Sequence, residues 1–211
     1  MTVSVEPLVQ TADGLVIRCL RNIGPYQNNI FIVSDAASGE AYVLDGGFEP
    51  EQIAESVSGL KVKAILITHG HQDHHANVGK LKELVKTEVG IGIDDAAQLS
   101  IEPDLLIVDQ QSFSVGPHTF QAIHTPGHTP GSTCFFLASG SATYLFTGDT
   151  LFPGGPGNTQ RDPVRFERII SSIRERLFNL PDTTVVYPGH GVDTTIGNER
   201  PQLDEWIARG W

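Results

Sequence analysis

One short segment limits what this chain can fold into more than any other. Residues 68–75 read Thr-His-Gly-His-Gln-Asp-His-His, directly after an apolar run at residues 64–68 and before a segment with helical periodicity near Ala76. This order places the segment on the loop that leaves the C-terminal end of a strand. A loop in that position is held by rigid elements and can direct several side chains toward one point.

The residue types in this loop are typical of a metal site. His69 and His71 lie two residues apart, so an extended turn can direct both imidazoles toward one ion. Asp73 and His74 follow one turn later and can bind a second ion nearby. The alternative is a polar turn in which Asp73 caps the following helix, but such a density of metal-binding residue types favours the metal site. We expect His75 to lie behind the ligands or at the surface.

Three later segments repeat the pattern of a strand, small residues and a polar side chain. A Pro-Gly turn presents His128, whereas His124 belongs to the preceding strand end and is the weaker candidate. Asp149 and His190 each follow a glycine at the end of another strand-like run. The four loops together provide the candidate ligands His69, His71, Asp73, His74, His128, Asp149 and His190.

The number and type of these candidate ligands indicate more than one ion. Seven oxygen and nitrogen ligands are too many for one tetrahedral site and suit two ions that share a carboxylate. The set contains no thiolate, and imidazole with carboxylate suits zinc, iron or manganese. Such a centre lowers the pKa of bound water from about 15.7 to about 7 and polarises a carbonyl. The sequence therefore predicts a metal-dependent hydrolase with two divalent ions, zinc being favoured.

Composition argues against several other classes of protein. The chain carries 14 Lys and Arg against 25 Asp and Glu, a net charge of −11, so we expect no nucleic-acid partner. It has no apolar stretch of the ~20 residues that a membrane helix requires. Residues 1–10 lack a basic signal segment, and Cys19 and Cys134, both expected to be buried, are the two cysteines. These features predict a cytoplasmic protein, and the lack of a linker predicts one domain over residues 1–211.

The order of the predicted elements indicates the fold class. Short β-branched runs come first, and strands and helices then mix, which favours two packed sheets with helices on the outer faces, a four-layer α/β arrangement. The predicted strands are residues 15–20, 29–34, 41–44, 64–68, 120–124, 133–137, 143–147 and 184–187. Four helices are expected, and the second runs from about residue 76 to 86. Asp162 is the expected N-cap of the third, with Pro163 at its first helical position. Their apolar faces are Ile53 with Val57, then Val78, Leu81, Leu84 and Val85, then Ile169, Ile170, Ile173 and Leu177, and finally Leu203, Trp206 and Ile207.

The motifs resemble those of a known family. Residues 68–74, together with Gly-His at 127–128, Gly-Asp at 148–149 and Gly-His at 189–190, resemble the metallo-β-lactamase-fold hydrolases. The run at 148–155 and the segment 180–190 are most similar to the glyoxalase II branch, the hydroxyacylglutathione hydrolases and their relatives. This resemblance implies an αββα sandwich with a two-metal site at one edge of the sheets. It implies one ion held by His69, His71 and His128, a second held by Asp73, His74 and His190, and Asp149 as the bridge.

The resemblance also implies roles for other residues. Asp73 would accept a proton during attack on the substrate. Asp45, at the end of another strand, would lie behind the metal ligands, although it is equally a turn residue before two glycines. The loop with Asn158 and Arg161 would face the substrate. Arg161 would then bind a carboxylate, or it is simply a surface arginine.

Departures from the family pattern narrow the predicted activity. The second ligand group lacks the cysteine common in true β-lactamases of this fold, which disfavours lactam hydrolysis. The chain ends at Trp211, soon after His190, so we expect no C-terminal helical domain that grips glutathione. The predicted function is hydrolysis of a small thioester by a metal-bound hydroxide. The alternative is a persulfide dioxygenase of the same fold, which binds a single iron through two His and one Asp.

Overall fold

Strands dominate the first two thirds of the chain and helices the remainder. The computed structural model describes residues 7–210, so Trp211 and residues 1–6 of the segment considered for a signal lie outside the described part. The strands are β1 Pro7–Gln10, β2 Leu15–Ile23, β3 Asn28–Asp35, β4 Glu40–Leu44, β5 Lys61–Ile67, β6 Glu88–Gly92, β7 Leu105–Ile107, β8 Ser112–Val115, β9 His118–His124, β10 Thr133–Ser139, β11 Ala142–Gly148, β12 Leu151–Phe152, β13 Gly155–Pro156, β14 Val185–Pro188 and β15 Thr194–Thr195. The α-helices are α1 Pro50–Ser56, α2 Gln72–His75, α3 Val78–Val85, α4 Pro163–Ser172, α5 Ile196–Glu199 and α6 Leu203–Arg209. Tighter 3-10 turns span Ile93–Gln98 and Arg200–Gln202, and a π-helical turn spans Ile173–Leu177.

The strands form two large sheets and a small hairpin. The first sheet has the order β1-β2-β3-β4-β5-β6-β7, and the second has the order β15-β14-β11-β10-β9-β8. β12 and β13 pair as a separate hairpin. β4, β5, β6 and β7 run parallel to one another, as do β11 and β14. Because parallel strands end at the same edge of a sheet, their following loops are brought together there.

Aromatic side chains fill the space between the two sheets. The Phe31 ring of the first sheet lies 5.2 Å from the Phe146 ring and 5.3 Å from the Tyr187 ring of the second. Phe146 and Tyr187 are stacked at 5.4 Å, and Tyr42 meets Phe120 across the sheets at 5.5 Å. These contacts remove the inner faces of both sheets from water, which is the main favourable term in folding.

Helices cover the outer faces of the sheets. Ile53 of α1 and Leu81 of α3 pack on the outside of the first sheet. Ile169 of α4 and Trp206 of α6 pack on the outside of the second. The predicted four-layer αββα sandwich is therefore confirmed. Within residues 7–210, no helix combines the length and apolar character that crossing a bilayer requires.

The eight predicted strands are all present, with ends that shift by a few residues. The predicted N-cap is also confirmed, because the Asp162 carboxylate accepts hydrogen bonds from the backbone N–H groups of Val164 and Arg165 at 2.8 and 3.1 Å. Both cysteines are buried, as expected.

The helix expected near residues 76–86 is present as α3, Val78–Val85, and the separate short helix α2 precedes it. One expectation about the helices was wrong. Leu84 is 40% exposed and Ile207 is 39% exposed, although both were expected on buried faces. Periodicity gives the direction of an apolar face but not its width, and the sheet beneath each helix covers only the centre of that face.

Phe146 is a direct test of the inter-sheet packing. Its ring is buried and contacts aromatic rings of both sheets. Phe146→Ala should lower the free energy of unfolding by about 3–5 kcal/mol, because it leaves a cavity between the sheets. Leu84→Ala, at a partly exposed position of α3, should change it by less than about 1 kcal/mol. Urea unfolding of both variants without metal gives the values, and equal losses would contradict the packing described here.

Candidate metal centre

The candidate ligands lie at one edge of the two sheets. Backbone hydrogen bonds join the loops there: the N–H of Gly189 donates to the carbonyl of Gly148 at 2.8 Å, and the N–H of Thr133 donates to the carbonyl of Thr68 at 2.9 Å. The second bond connects the second sheet to the first. The strands that end at this edge, with the ligands that follow, are β5 with His69 and His71, β9 with His128, β11 with Asp149 and β14 with His190.

Three histidines form the first ligand group. The Nδ1 atom of His71 lies 3.1 Å from Nε2 of His69 and 2.8 Å from Nε2 of His128. The Nδ1 atom of His128 donates to the carbonyl of Asn158 at 2.8 Å. Nδ1 of His69 lies 3.1 Å from the Thr68 hydroxyl, which gives its own hydrogen to a buried carboxylate and therefore accepts from the imidazole.

These hydrogen bonds fix the tautomers and aim lone pairs at one point. With Nδ1 protonated, the Nε2 atoms of His69 and His128 carry lone pairs that both face Nδ1 of His71. Lone pairs at such distances repel one another unless a cation or a proton lies among them. In a tetrahedral site with Zn–N bonds of about 2.0–2.1 Å, neighbouring nitrogens are about 3.3 Å apart. The first group therefore fits a divalent cation.

The second ligand group combines a carboxylate with two imidazoles. Oδ2 of Asp73 lies 3.3 Å from Nε2 of His74 and 3.3 Å from Nε2 of His190, and the two Nε2 atoms are 3.2 Å apart. Nδ1 of His190 donates to the carbonyl of Tyr26 at 2.9 Å, which leaves Nε2 facing the group. The side-chain amide of Asn28 donates to Oδ2 of Asp73 at 2.9 Å. This donor set also suits zinc, iron or manganese.

Asp149 lies between the two groups. Its Oδ1 atom is 3.6 Å from Nε2 of both His74 and His190, and its Oδ2 atom is 3.6 Å from Nε2 of His128. Oδ1 is buried and has no hydrogen-bond partner in the described part of the chain. A buried carboxylate oxygen without a donor is costly, and a cation would relieve that cost. The geometry therefore fits two cations that share this carboxylate.

Asp45 supports ligands of both groups from behind. Its Oδ2 atom lies 2.8 Å from Nδ1 of His74, and its Oδ1 atom accepts from the backbone N–H of Thr68 at 2.8 Å. The Thr68 hydroxyl donates to the same carboxylate and accepts from His69, so Asp45 orients one imidazole directly and a second through Thr68. Asp45 is also a turn residue, with φ of 65°. It therefore lies behind the candidate ligands and in a turn before two glycines, the two positions considered from the sequence.

Burial keeps the first group in the neutral form that binds metal. It lowers the pKa of His69 well below its usual value and also lowers the pKa of His71. Burial likewise lowers the pKa of His128 to about 4. Because a ligating imidazole must be unprotonated, this group has no proton to lose at neutral pH before it binds a cation.

In the second group, nearby charges and hydrogen bonds outweigh the effect of burial on the pKa values. Burial works to lower the pKa of His74, but the charges of Asp45 and Asp149 outweigh it and raise the pKa well above its usual value. Burial also works against a charged His190, but its hydrogen bond with Asp73 raises the pKa. For Asp73, burial acts to raise the pKa, but hydrogen bonds from His190 and His74 hold it well below its usual range. Without a metal, protons on these imidazoles therefore balance the carboxylates.

Asp95 is a positioning residue that the sequence did not indicate. Its buried carboxylate accepts hydrogen bonds from the backbone N–H groups of Gly70 and Gly131, both at 2.8 Å. It also accepts from the Thr129 hydroxyl at 2.6 Å and from the Gln98 amide at 3.0 Å. Gly70 lies between two ligands of the first group, and Thr129 follows the third. One carboxylate thus joins both loops that form the first group.

Two glycines beside the ligands are required by close contact. A Cβ atom on Gly47 would lie 1.7 Å from the carbonyl oxygen of Asp73. A Cβ atom on Gly189 would lie 2.6 Å from Oδ1 of Asp149 and 2.8 Å from Cε1 of His74. Any larger residue at either position would push a ligand out of place. The sequence placed these glycines in turns but gave no sign of these contacts.

Three other histidines, His75, His118 at the start of β9 and His124, lie outside the ligand groups. His75 is buried, and its Nε2 atom lies 3.2 Å from the carbonyl oxygen of Gly70, so it lies behind the ligands and not at the surface. His124 ends β9 and directs Nε2 toward the carbonyl of Pro130 at 2.8 Å. It belongs to none of the groups of possible ligands found within residues 7–210.

The loop expected to face the substrate lies next to the first group. Asn158 contacts His128 through its backbone carbonyl, so its position beside the site does not depend on its side chain. Arg161 lines a cavity of about 400 Å³ together with Phe152 and Pro156. Asn158 lines the same cavity, which connects it to the loop carbonyl that holds His128.

Comparison with known proteins agrees with this fold. Residues 23–190 match the family model of the metallo-beta-lactamase superfamily. The matched region spans both sheets and ends at the last candidate ligand, His190. This chain belongs to the metallo-beta-lactamase superfamily.

Particular members of the superfamily are similar over most of their length. The hydroxyacylglutathione hydrolase GloC of Haemophilus influenzae is 31% identical, over 83% of this chain and 91% of that protein. The crystal structure of ETHE1 from Myxococcus xanthus has a TM-score of 0.78 and 27% identity, covering 92% of this chain and 89% of that one. The crystal structure of TTHA1623 in a di-iron-bound form has a TM-score of 0.69 and 32% identity, covering 86% of this chain and 96% of that one.

Asp95→Asn tests the positioning of the first ligand group. The amide keeps the shape of the side chain but replaces one accepting oxygen with a donor, so one pair of hydrogen bonds is lost. We expect the zinc affinity of the first group to fall about tenfold. The measurement is competition with a chromophoric chelator in a His190→Ala background, where the second group is incomplete. Asp94→Asn, at the exposed neighbouring residue, is the control, and equal affinities for both variants would contradict the role of Asp95.

The two groups should respond differently to pH. The pKa values of His74 and His190 are raised, so a metal at the second group must displace protons, and lowering the pH favours the protons. The imidazoles of the first group stay neutral to lower pH. As the pH is lowered from about 7.5 to about 5.5, we expect the ion of the second group to dissociate before the ion of the first. Metal analysis after equilibrium dialysis at each pH measures this loss. Loss of both ions in a single step would contradict the difference between the groups.

Proposed function

We propose that this protein is a metal-dependent hydrolase that cleaves a small thioester. The observation that carries the proposal is the position of Asp149, whose two oxygens face two separate ligand groups. The identity of 31% with a protein named as a hydroxyacylglutathione hydrolase supports the choice of a thioester. The di-iron form of a structure with 32% identity supports occupancy by two ions.

The ligand groups define where the ions would be held. One ion would be held by His69, His71 and His128 and the other by Asp73, His74 and His190, with Asp149 shared. When bound, two divalent ions supply an activated water and polarise a carbonyl oxygen. We propose zinc as the resident metal, with iron or manganese as alternatives that the same nitrogen and oxygen donors accept.

Asp73 is the candidate proton acceptor of the reaction. Its side chain is partly exposed at the mouth of the centre, where a substrate can reach it. Hydrogen bonds from His74 and His190 keep its carboxylate ionised at neutral pH. The Asn28 amide holds Oδ2 at 2.9 Å and so fixes the direction of the carboxylate. We infer that Asp73 takes the proton released during attack and returns it to the departing thiolate.

The cavity next to the first group would hold the remainder of the substrate. Phe152 and Pro156 give it an apolar wall, and Arg161 gives it one positive charge. Its volume of about 400 Å³ suits a small molecule. We propose that a small acyl or thiol group lies here, with Arg161 available to a carboxylate.

A second candidate function is persulfide dioxygenation by a single iron. Within residues 7–210, His69, His74 and Asp149 also form a group whose ligand atoms lie within 4.8 Å of one another. Two imidazoles and one carboxylate are the donors that leave positions open for oxygen on iron. The similarity to ETHE1 supports this candidate as strongly as GloC supports thioester hydrolysis.

Metal analysis with paired assays distinguishes the two candidates. About two ions per chain, with thiol release from an acyl thioester, would support hydrolysis. One iron per chain, with oxygen uptake on a persulfide, would support dioxygenation. Removal of metal by a chelator should abolish either activity, and zinc should restore only the hydrolysis. Full thioesterase activity in the chelated protein would contradict the proposal.

A pair of histidine variants tests the proposed ligands. His71→Ala should remove most of the metal bound by the first group and lower kcat/KM at least about a hundredfold, because the Nδ1 atom at the centre of that group is lost. His124→Ala removes an imidazole that makes no contact with the groups and should keep both metal and activity. Metal analysis and thiol release are measured on the same preparations. Retention of metal and activity by His71→Ala would exclude His71 from the site.

A further inference from the structure

A separate cavity borders the candidate centre on the side of His71. It has a volume of about 270 Å³, and its lining includes the candidate ligand His71 together with Gln98 and Thr129. Arg165 and Arg168 of α4 also line it. It shares no lining residue with the cavity lined by Phe152 and Arg161.

The charge of this cavity is opposite to that of the whole chain. The chain has a net charge of −11, yet the cavity lining within residues 7–210 includes two arginines and no aspartate or glutamate. Two acids lie close to its lining: the carboxylate of Asp95 is already bonded to four donors, one of them the Gln98 amide, and Asp149 lies among the candidate ligands, 3.6 Å from Nε2 of His128. The charged side chains that line the cavity itself are therefore the two arginines, beside a candidate metal centre.

The two arginines are engaged to different extents. Arg165 donates through Nε to the carbonyl of Gly127 at 3.2 Å and through a terminal nitrogen to the carbonyl of His128, so it fixes the loop that carries a ligand. Arg168 lies one helical turn later and is exposed. Its guanidinium makes no hydrogen bond or ion pair with any other residue between positions 7 and 210. It is therefore free to bind a ligand.

We propose that this cavity is an anion subsite that takes a carboxylate group of the substrate, with Arg168 as the residue that binds it. The planar guanidinium matches a carboxylate through two parallel hydrogen bonds. Arg165 adds a fixed positive charge, and His71 separates the subsite from the reacting centre by a single side chain. The inference rests on the proposed function only in that the anion belongs to a thioester.

A binding experiment tests the subsite without any reaction. Glutarate and butyrate have similar chains, but glutarate carries a second carboxylate, which the proposal places at Arg168 while the first lies at the metal. Calorimetry on the metal-loaded protein should show that glutarate binds about fivefold more tightly than butyrate. Arg168→Gln should abolish that difference and Arg168→Glu should reverse it. Arg174→Gln, which removes the same charge from an exposed position outside the cavity, should preserve it.

Equal affinities in the wild-type protein would overturn the subsite. So would an equal effect of Arg168→Gln and Arg174→Gln, because the preference would then reflect net charge alone.

A kinetic experiment relates the subsite to the reaction. Thioesters with a carboxylate on the acyl side or on the thiol side are compared with their neutral amides. Arg168→Gln should raise KM about fivefold for one of the acidic thioesters and leave the neutral ones unchanged. If the wild-type protein cleaves no thioester, the proposed function fails, and the binding experiment still decides the subsite. If it cleaves all of them and Arg168→Gln affects them equally, the subsite fails and the proposed function stands.

Discussion

The arrangement depends on one electrostatic constraint, which is that five imidazoles and two carboxylates lie within a few Å of each other. Such a set is stable only when positive charge lies among its lone pairs. The fold orients four of the imidazoles through hydrogen bonds to their Nδ1 atoms. The partners are Thr68, Asp45 and the carbonyls of Asn158 and Tyr26. Each of these contacts turns the free nitrogen of a ring toward the others. The scaffold thereby fixes the directions of the donors before any cation binds.

The sandwich makes this possible because both sheets end their strands at the same edge. Aromatic packing around Phe146 fixes one sheet against the other, and backbone bonds such as that from Thr133 to Thr68 join the loops across the edge. Asp95 then fastens the two loops of the first group together. Stability of the core and geometry of the centre are therefore linked, since a shift between the sheets would separate His71 from His128.

The sequence predicted which histidines and aspartates lie together at the sheet edge, because each follows a strand and several are close in sequence. It could not predict Asp95, because Asp94 and Asp95 are alike in sequence and only tertiary contacts with Gly70 and Gly131 distinguish them. The strand β6 was not predicted from the sequence, because two of its residues are glycines, which interrupt the β-branched pattern typical of a strand. Nothing in the sequence distinguishes Arg168, because a charged residue on an amphipathic helix is ordinarily a solvent-facing one; the role proposed for it rests on the cavity beside His71.

The contrast between the two ligand groups bears on which chemistry this superfamily member performs. The first group is neutral and ready to bind a cation, whereas the second holds protons that Asp45, Asp73 and Asp149 stabilise. A cation at the second group must therefore displace those protons, so its occupancy is more sensitive to pH and to metal supply than that of the first. One set of residues can thus support either a single ion or a pair. Hydrolysis by a shared activated water requires the pair, and oxygen chemistry requires open positions on one iron. His74 belongs to the second group and also to the group of His69, His74 and Asp149, so under either candidate function the cation would have to displace the proton on His74.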